Sequence, residues 1–197
     1  MTSFSRTDPS ILGRWWWTLD RSALLVLTLL FAVGAILTVA ASPGAAERIG
    51  LEPFHFVRHQ FVFMAPAMLI MLAVSLLSPR GVRRLATLVF AAGLALVVAT
   101  HFAGVEIKGA SRWLSLAGFT FQPSEFVKPC FAVVAAWMFA EYRESENFPG
   151  RAIASVLLLI VVALLLMQPD FGMAVTVTAV WFVQFFLAGL SLWWVGL

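Results

Sequence analysis

Long uncharged apolar runs constrain this chain more than any other feature. A run of about 18 or more apolar residues reads as a transmembrane helix, because in hydrocarbon each backbone polar group must be bonded inside its own segment. Ser22–Ala41 and Gln60–Leu77 qualify outright, and Leu85–Ala103 is interrupted by His101 alone. Ala152–Met167 and Phe171–Gly189 follow almost back to back, and the shorter Phe126–Tyr142 carries Lys128. These runs predict six spans in an all-α, polytopic transmembrane helical bundle. With 61% hydrophobic and 12% charged residues, against about 45–50% and 25% in soluble domains, a soluble core could not hide the apolar surface.

The first apolar run is too long for a cleaved leader, and Ala40-Ala41-Ser42 is the nearest approach to a cleavage site. Cys130 is the single cysteine and lies inside a predicted span, which excludes disulfides within the chain and cysteine metal clusters. The net charge of +3 does not point to nucleic acid, because the cations flank the membrane runs.

Lys and Arg in short loops favour the cytoplasmic side. With the N-terminus inside, eight basic residues (Arg6, Arg14, Arg21, Arg80, Arg83, Arg84, Arg143, Arg151) fall inside and five (Arg48, Arg58, Lys108, Arg112, Lys128) outside. The turn Pro79-Arg80-Gly81-Val82-Arg83-Arg84 is the sharpest signal; it reads as a topology anchor that could touch anionic lipid. Trp15, Trp16 and Trp17 before the first span suit an interfacial aromatic belt. The expected organisation is a cytoplasmic segment over residues 1–21 and one transmembrane domain over 22–197. Ser191–Leu197 reads as the opening of a further span, so that domain is expected to be truncated.

The informative outer stretch is Gly104–Lys128, which interleaves Glu106, Lys108, Arg112, Gln122, Glu125 and Lys128 with Trp113, Leu114, Leu116, Phe119 and Phe121. A solvated linker has no use for so many apolar side chains, whereas a half-embedded interfacial segment uses both kinds. Gln122-Pro123-Ser124-Glu125 predicts a helix start, with Pro123 at the first helical position and Glu125 complementing the dipole. Glu125 and Lys128 are spaced to share a face and pair, and Pro129 removes the backbone donor that the Glu125 carbonyl would otherwise receive. Charged groups at membrane depth are costly and mark functional sites. The alternative is an interfacial ion pair that only starts the helix.

Asp170, between Pro169 and Gly172, reads on its own as a turn residue. His55 and His59 have helical spacing but no third ligand nearby, which favours an interfacial role over a metal site. His101 is expected to be a satisfied polar residue inside the bundle.

Lys108-Gly109-Ala110-Ser111-Arg112-Trp113, then Gln122-Pro123-Ser124-Glu125 with Lys128, closely resembles the signature of the SEDS family (shape, elongation, division and sporulation). Gln168-Pro169-Asp170-Phe171-Gly172 resembles its second hallmark, with Met173-Ala174 where Thr-Ala is usual. Gly13–Arg21 resembles the N-terminus of the family's division branch more than its elongation branch. The resemblance implies a ten-span fold, of which six spans are present, polymerising lipid II into glycan strands on the outer face of the bacterial inner membrane at the septum. It implies a class B penicillin-binding protein and other division proteins as partners, contact with membrane lipid, and no nucleic acid. Glu125 and Lys128 would be paired charges lining a substrate cavity, with Gln122 and Ser124 beside them, Lys108 and Arg112 near its entrance, and Asp170 at the next helix turn. No catalytic residue is assigned, since the family's acid–base aspartate is expected beyond Leu197, and the fragment alone is expected to be inactive. No cofactor is demanded; a divalent cation is the one candidate. A lipid II flippase and a non-catalytic division scaffold remain as alternatives.

Overall fold

The computed structural model describes residues 10–107, 110–116, 119–145 and 147–189; Lys108, Arg6 and the Ser191–Leu197 segment lie outside them. The order of elements is α1 (Ile11–Thr18), α2 (Arg21–Glu47), α3 (His55–Ser75), α4 (Pro79–Ala103), β1 (Val105–Ile107), β2 (Ala110–Leu116), β3 (Phe119–Phe121), α5 (Ser124–Glu144), α6 (Gly150–Met167) and α7 (Phe171–Leu187). All six expected spans fall in helices, α2 to α7. Among the described residues, α2, α3, α4 and α6 are long and apolar enough to cross a membrane. The apolar α7 is 17 residues long. Helix α5 has 21 residues, but Glu125, Lys128, Glu141, Arg143 and Glu144 dilute its hydropathy.

The chain divides into two compact units, Met1–Ser78 and Pro79–Leu197. In the first, α2 packs on α3. Asp20 caps α2 by accepting hydrogen bonds from the Ser22 and Ala23 amides at 2.9 and 3.0 Å, which satisfies two of the orphan donors of a helix start. The tryptophan triplet makes polar and cationic contacts within this unit. The Trp15 indole donates to Ser75 Oγ at 2.9 Å, and Arg21 lies 5.0 and 5.5 Å from the Trp16 and Trp17 ring centres.

In the second unit, α4, α5, α6 and α7 enclose a core of Phe90, Val97, Val127, Phe131, Ala135, Val161 and Leu165. Helices associate in lipid chiefly through close packing, which small residues permit. A Cβ on Gly93 would stand 2.8 Å from Val127 Cγ2, a side-chain atom, whereas one on Gly150 would collide with the backbone carbonyl of Met138. Gly150→Ala is therefore expected to force α6 off α5, with a loss of about 1–3 kcal/mol. Gly93→Ala should cost less. Thermal melts of both variants in detergent check the ranking.

Between α4 and α5, residues 105–107, 110–116 and 119–121 form a three-stranded antiparallel sheet in the order β1-β2-β3. Val105 pairs with Trp113 and Glu106 with Ser111 across a bulge, and Leu114 pairs with Phe121. Strand β2 lies against α4. The sheet and the α6–α7 junction share one end of this unit, as the contacts of Arg112 require. The arginines of α4 share the other end with the last turns of α5, since Arg83 lies 5.9 Å from the Trp137 ring centre.

Candidate functional site

Three segments distant in sequence meet at the sheet end. Strand β2 contributes Arg112, the start of α5 contributes Gln122 and Ser124, and the α6–α7 turn contributes Gln168, Pro169 and Asp170. Arg112 donates from Nε to the Gln168 carbonyl at 2.7 Å and from Nη2 to the Pro169 carbonyl at 2.6 Å. Its Nη1 lies 3.8 Å from Asp170 Oδ2. One planar guanidinium thus holds two successive carbonyls at the end of α6 and the carboxylate after them, a geometry that a fixed fork of donors allows and a point charge does not. The turn needs holding: Pro169 has φ 24°, far from the −65° or so that its ring prefers.

Asp170 stands at the N-cap of α7 but makes no capping side-chain bond. Its carboxylate is turned instead to Arg112 and to Gln122 Nε2, 3.4 Å away. Gln122 Nε2 also donates to the fully buried Ser124 Oγ at 2.9 Å. Pro123 sits one place earlier than expected, at the N-cap of α5 rather than inside its first turn. The helix start is the same, because Gln122 and Pro123 carbonyls accept from the Glu125 and Phe126 amides.

Beneath the turn, Gln168 Nε2 donates to Thr100 Oγ1 at 2.5 Å, and Thr100 passes its own hydrogen to the Val97 carbonyl at 2.6 Å. Both side chains are buried, and Gln168 Oε1 has no protein partner. One turn into α5, Lys128 Nζ donates to Glu125 Oε1 at 2.7 Å and to Met173 Sδ at 3.0 Å. The ammonium is largely covered while half of the Glu125 side chain is exposed.

The structure therefore brings together Arg112, Gln122, Ser124 and Asp170 in one network and Glu125 with Lys128 in a pair beside it. Lys108 lies outside the described residues. Sequence reasoning did not place Thr100, Gln168 or Met173 in the site. Gln168 had a signal, since it opens the second motif. Thr100 had none, because a threonine in an apolar helix ordinarily satisfies itself on its own backbone. Met173 looked like a mild departure from the family pattern, yet it is a ligand of the lysine. His101, an exposed residue near the end of α4, has Nδ1 3.1 Å from the Val97 carbonyl of its own helix. The His55 and His59 rings lie against each other, 4.7 Å between centres. Among the described residues no group of three or more His, Cys, Asp or Glu side chains could hold a metal ion.

Residues 20–197 match the family of cell cycle proteins that groups FtsW, RodA and SpoVE. The chain belongs to this family, SEDS. It is 45% identical over 194 residues to a Caulobacter vibrioides protein named "Probable peptidoglycan glycosyltransferase FtsW", covering 98% of this chain and 50% of that one. A protein of the same name from Alkalilimnicola ehrlichii is 32% identical over 188 residues, 93% of this chain and 47% of that one. Among solved structures, the rod shape determining protein RodA of Thermus thermophilus superposes with a TM-score of 0.73 at 30% identity, covering 89% of this chain and 56% of that one. A chain from a study of how a peptidoglycan synthase complex coordinates polymerization and crosslinking gives 0.69 at 28% identity, covering 86% and 48%. The chain spans about half the length of the relatives it matches. Like other SEDS members it is a multi-pass membrane protein.

Proposed function

We propose that this chain is the N-terminal part of a peptidoglycan glycosyltransferase of the FtsW type, which polymerises lipid II into glycan strands and works with a class B penicillin-binding protein and other division proteins. The observation that carries the reading is the converging network of Arg112, Gln122, Asp170, Glu125 and Lys128 at one end of the second unit, in a chain so similar to proteins named for that activity. In this reading residues 1–21 are cytoplasmic, 22–197 belong to one transmembrane domain of the inner membrane, and the network faces the periplasm at the septum.

Glycosyl transfer from a prenyl pyrophosphate needs a base for the attacking hydroxyl and cationic groups for the departing pyrophosphate. Lys128 suits the second task. An ammonium has three donors, and the contacts to Glu125 and Met173 orient two of them. Glu125 keeps the lysine aimed. Arg112 has three of its five donor hydrogens directed at the α6–α7 turn, so its main service is to position Asp170. No residue of the chain is assigned the base.

The test is lipid II polymerisation by the full-length protein with its partner. Glu125→Ala and Lys128→Ala are each expected to lower the rate by about 10²–10³, the usual loss of a group that stabilises developing charge. Wild-type rates in both would end this assignment. Translocation of labelled lipid II by reconstituted protein, with no strands formed, would favour transport instead.

A further inference from the structure

We propose that the Arg-rich end of α4 is a binding site for an anionic phospholipid, with the phosphate among Arg80, Arg83 and Arg84 and an acyl chain along Leu88 and Trp137. These residues and Thr87 line a cavity of about 430 Å³, well apart from the network at the sheet end.

Among the described residues the charge there has no ion-pair partner. Arg80, Arg83 and Arg84 share one helix face by spacing, so they repel each other at close range. Among the described residues no carboxylate stands within ion-pair distance of any of them. The first turn of α4 holds no acidic residue, so the helix dipole adds to the same sign. An anion relieves all three terms at once, and guanidinium forks match phosphate oxygens.

The rest of the cavity selects what carries the phosphate. The Trp137 indole nitrogen is already given to Glu141 Oε2 at 3.2 Å, so it is the ring that Trp137 offers to the cavity, with Arg83 above it. Leu88, one turn further along α4, is 70% exposed. A free phosphate would leave this wall bare. An amphiphile covers both parts, and the position fits its depth: the arginines stand where a span leaves hydrocarbon and meets headgroups.

Binding to the full chain, purified in detergent, is measured by native mass spectrometry with short-chain phosphatidylglycerol, short-chain phosphatidylcholine and inorganic phosphate. Phosphatidylglycerol is expected to bind about tenfold tighter than phosphatidylcholine or more. Arg80→Gln and Arg84→Gln, both at exposed positions outside the core, should each weaken phosphatidylglycerol about fivefold. The triple glutamine variant should erase the preference with the helical circular dichroism signal retained; the single variants carry the test if the triple variant does not fold. Equal binding of the two lipids, or a preference unchanged in the single variants, overturns the proposal. So does full displacement of phosphatidylglycerol by millimolar inorganic phosphate, which would mark a plain anion site.

Discussion

Arg112→Ala is expected to lower the stability of the chain by about 2–3 kcal/mol. Removing one partner of a buried ion pair costs about 3–5 kcal/mol, mostly for the charge left behind. The arginine side chain keeps 29% of its exposure and the aspartate 10%, so solvent screens part of that. The variant also strands the Gln168 and Pro169 carbonyls, which lose their donors at the end of α6. With about 2–4 °C per kcal/mol for a chain of this size, the melting point in detergent should fall by about 5–10 °C. Arg112→Lys should recover little, because an ammonium cannot serve two carbonyls and a carboxylate in one plane. The double variant Arg112→Ala with Asp170→Asn should melt higher than Arg112→Ala alone, since the uncompensated charge is gone. A single variant that melts with the wild type would show the clamp to be incidental.

Thr100→Val should cost almost as much from a change of one hydroxyl to a methyl. Thr100 is fully buried, and its Oγ1 is the acceptor for Gln168 Nε2. The amide oxygen of Gln168 already lacks a protein partner, so valine would leave both ends of a buried amide unpaired. Each such group costs about 1–3 kcal/mol. Thr100→Ser keeps the acceptor and should stay close to the wild type. Adding Gln168→Leu to Thr100→Val should restore much of the loss, because removing both partners is far cheaper than removing one. Denaturation in mixed detergent of the four proteins orders them; a Thr100→Val chain as stable as Thr100→Ser would defeat the account.

The spans could be read from sequence because a hydrocarbon solvent leaves so few options. Each uncharged run in α2, α3, α4, α6 and α7 had to be a helix, and its length was fixed by the bilayer. Helix α5 was legible through Gln122-Pro123-Ser124-Glu125 more than through its hydropathy. The Glu125–Lys128 pair followed from helical spacing. The sheet between α4 and α5 did not, since strands of three residues such as β1 and β3 are too short for a periodic pattern. Nor did the Arg112 clamp, whose partners lie 56 and 57 residues away and are backbone atoms that every residue carries. Nothing in the local pattern around Thr100 marks it as the seat of Gln168. Contacts of this kind are set by how helices stack, and a linear string does not print them.

The Arg112 fork makes a mechanical rivet between a surface hairpin and the hinge of two membrane helices. A displacement of strand β2 is carried to the turn between α6 and α7 as well, and with it to Asp170. Two elements far apart in sequence are thus mechanically one, through a single side chain.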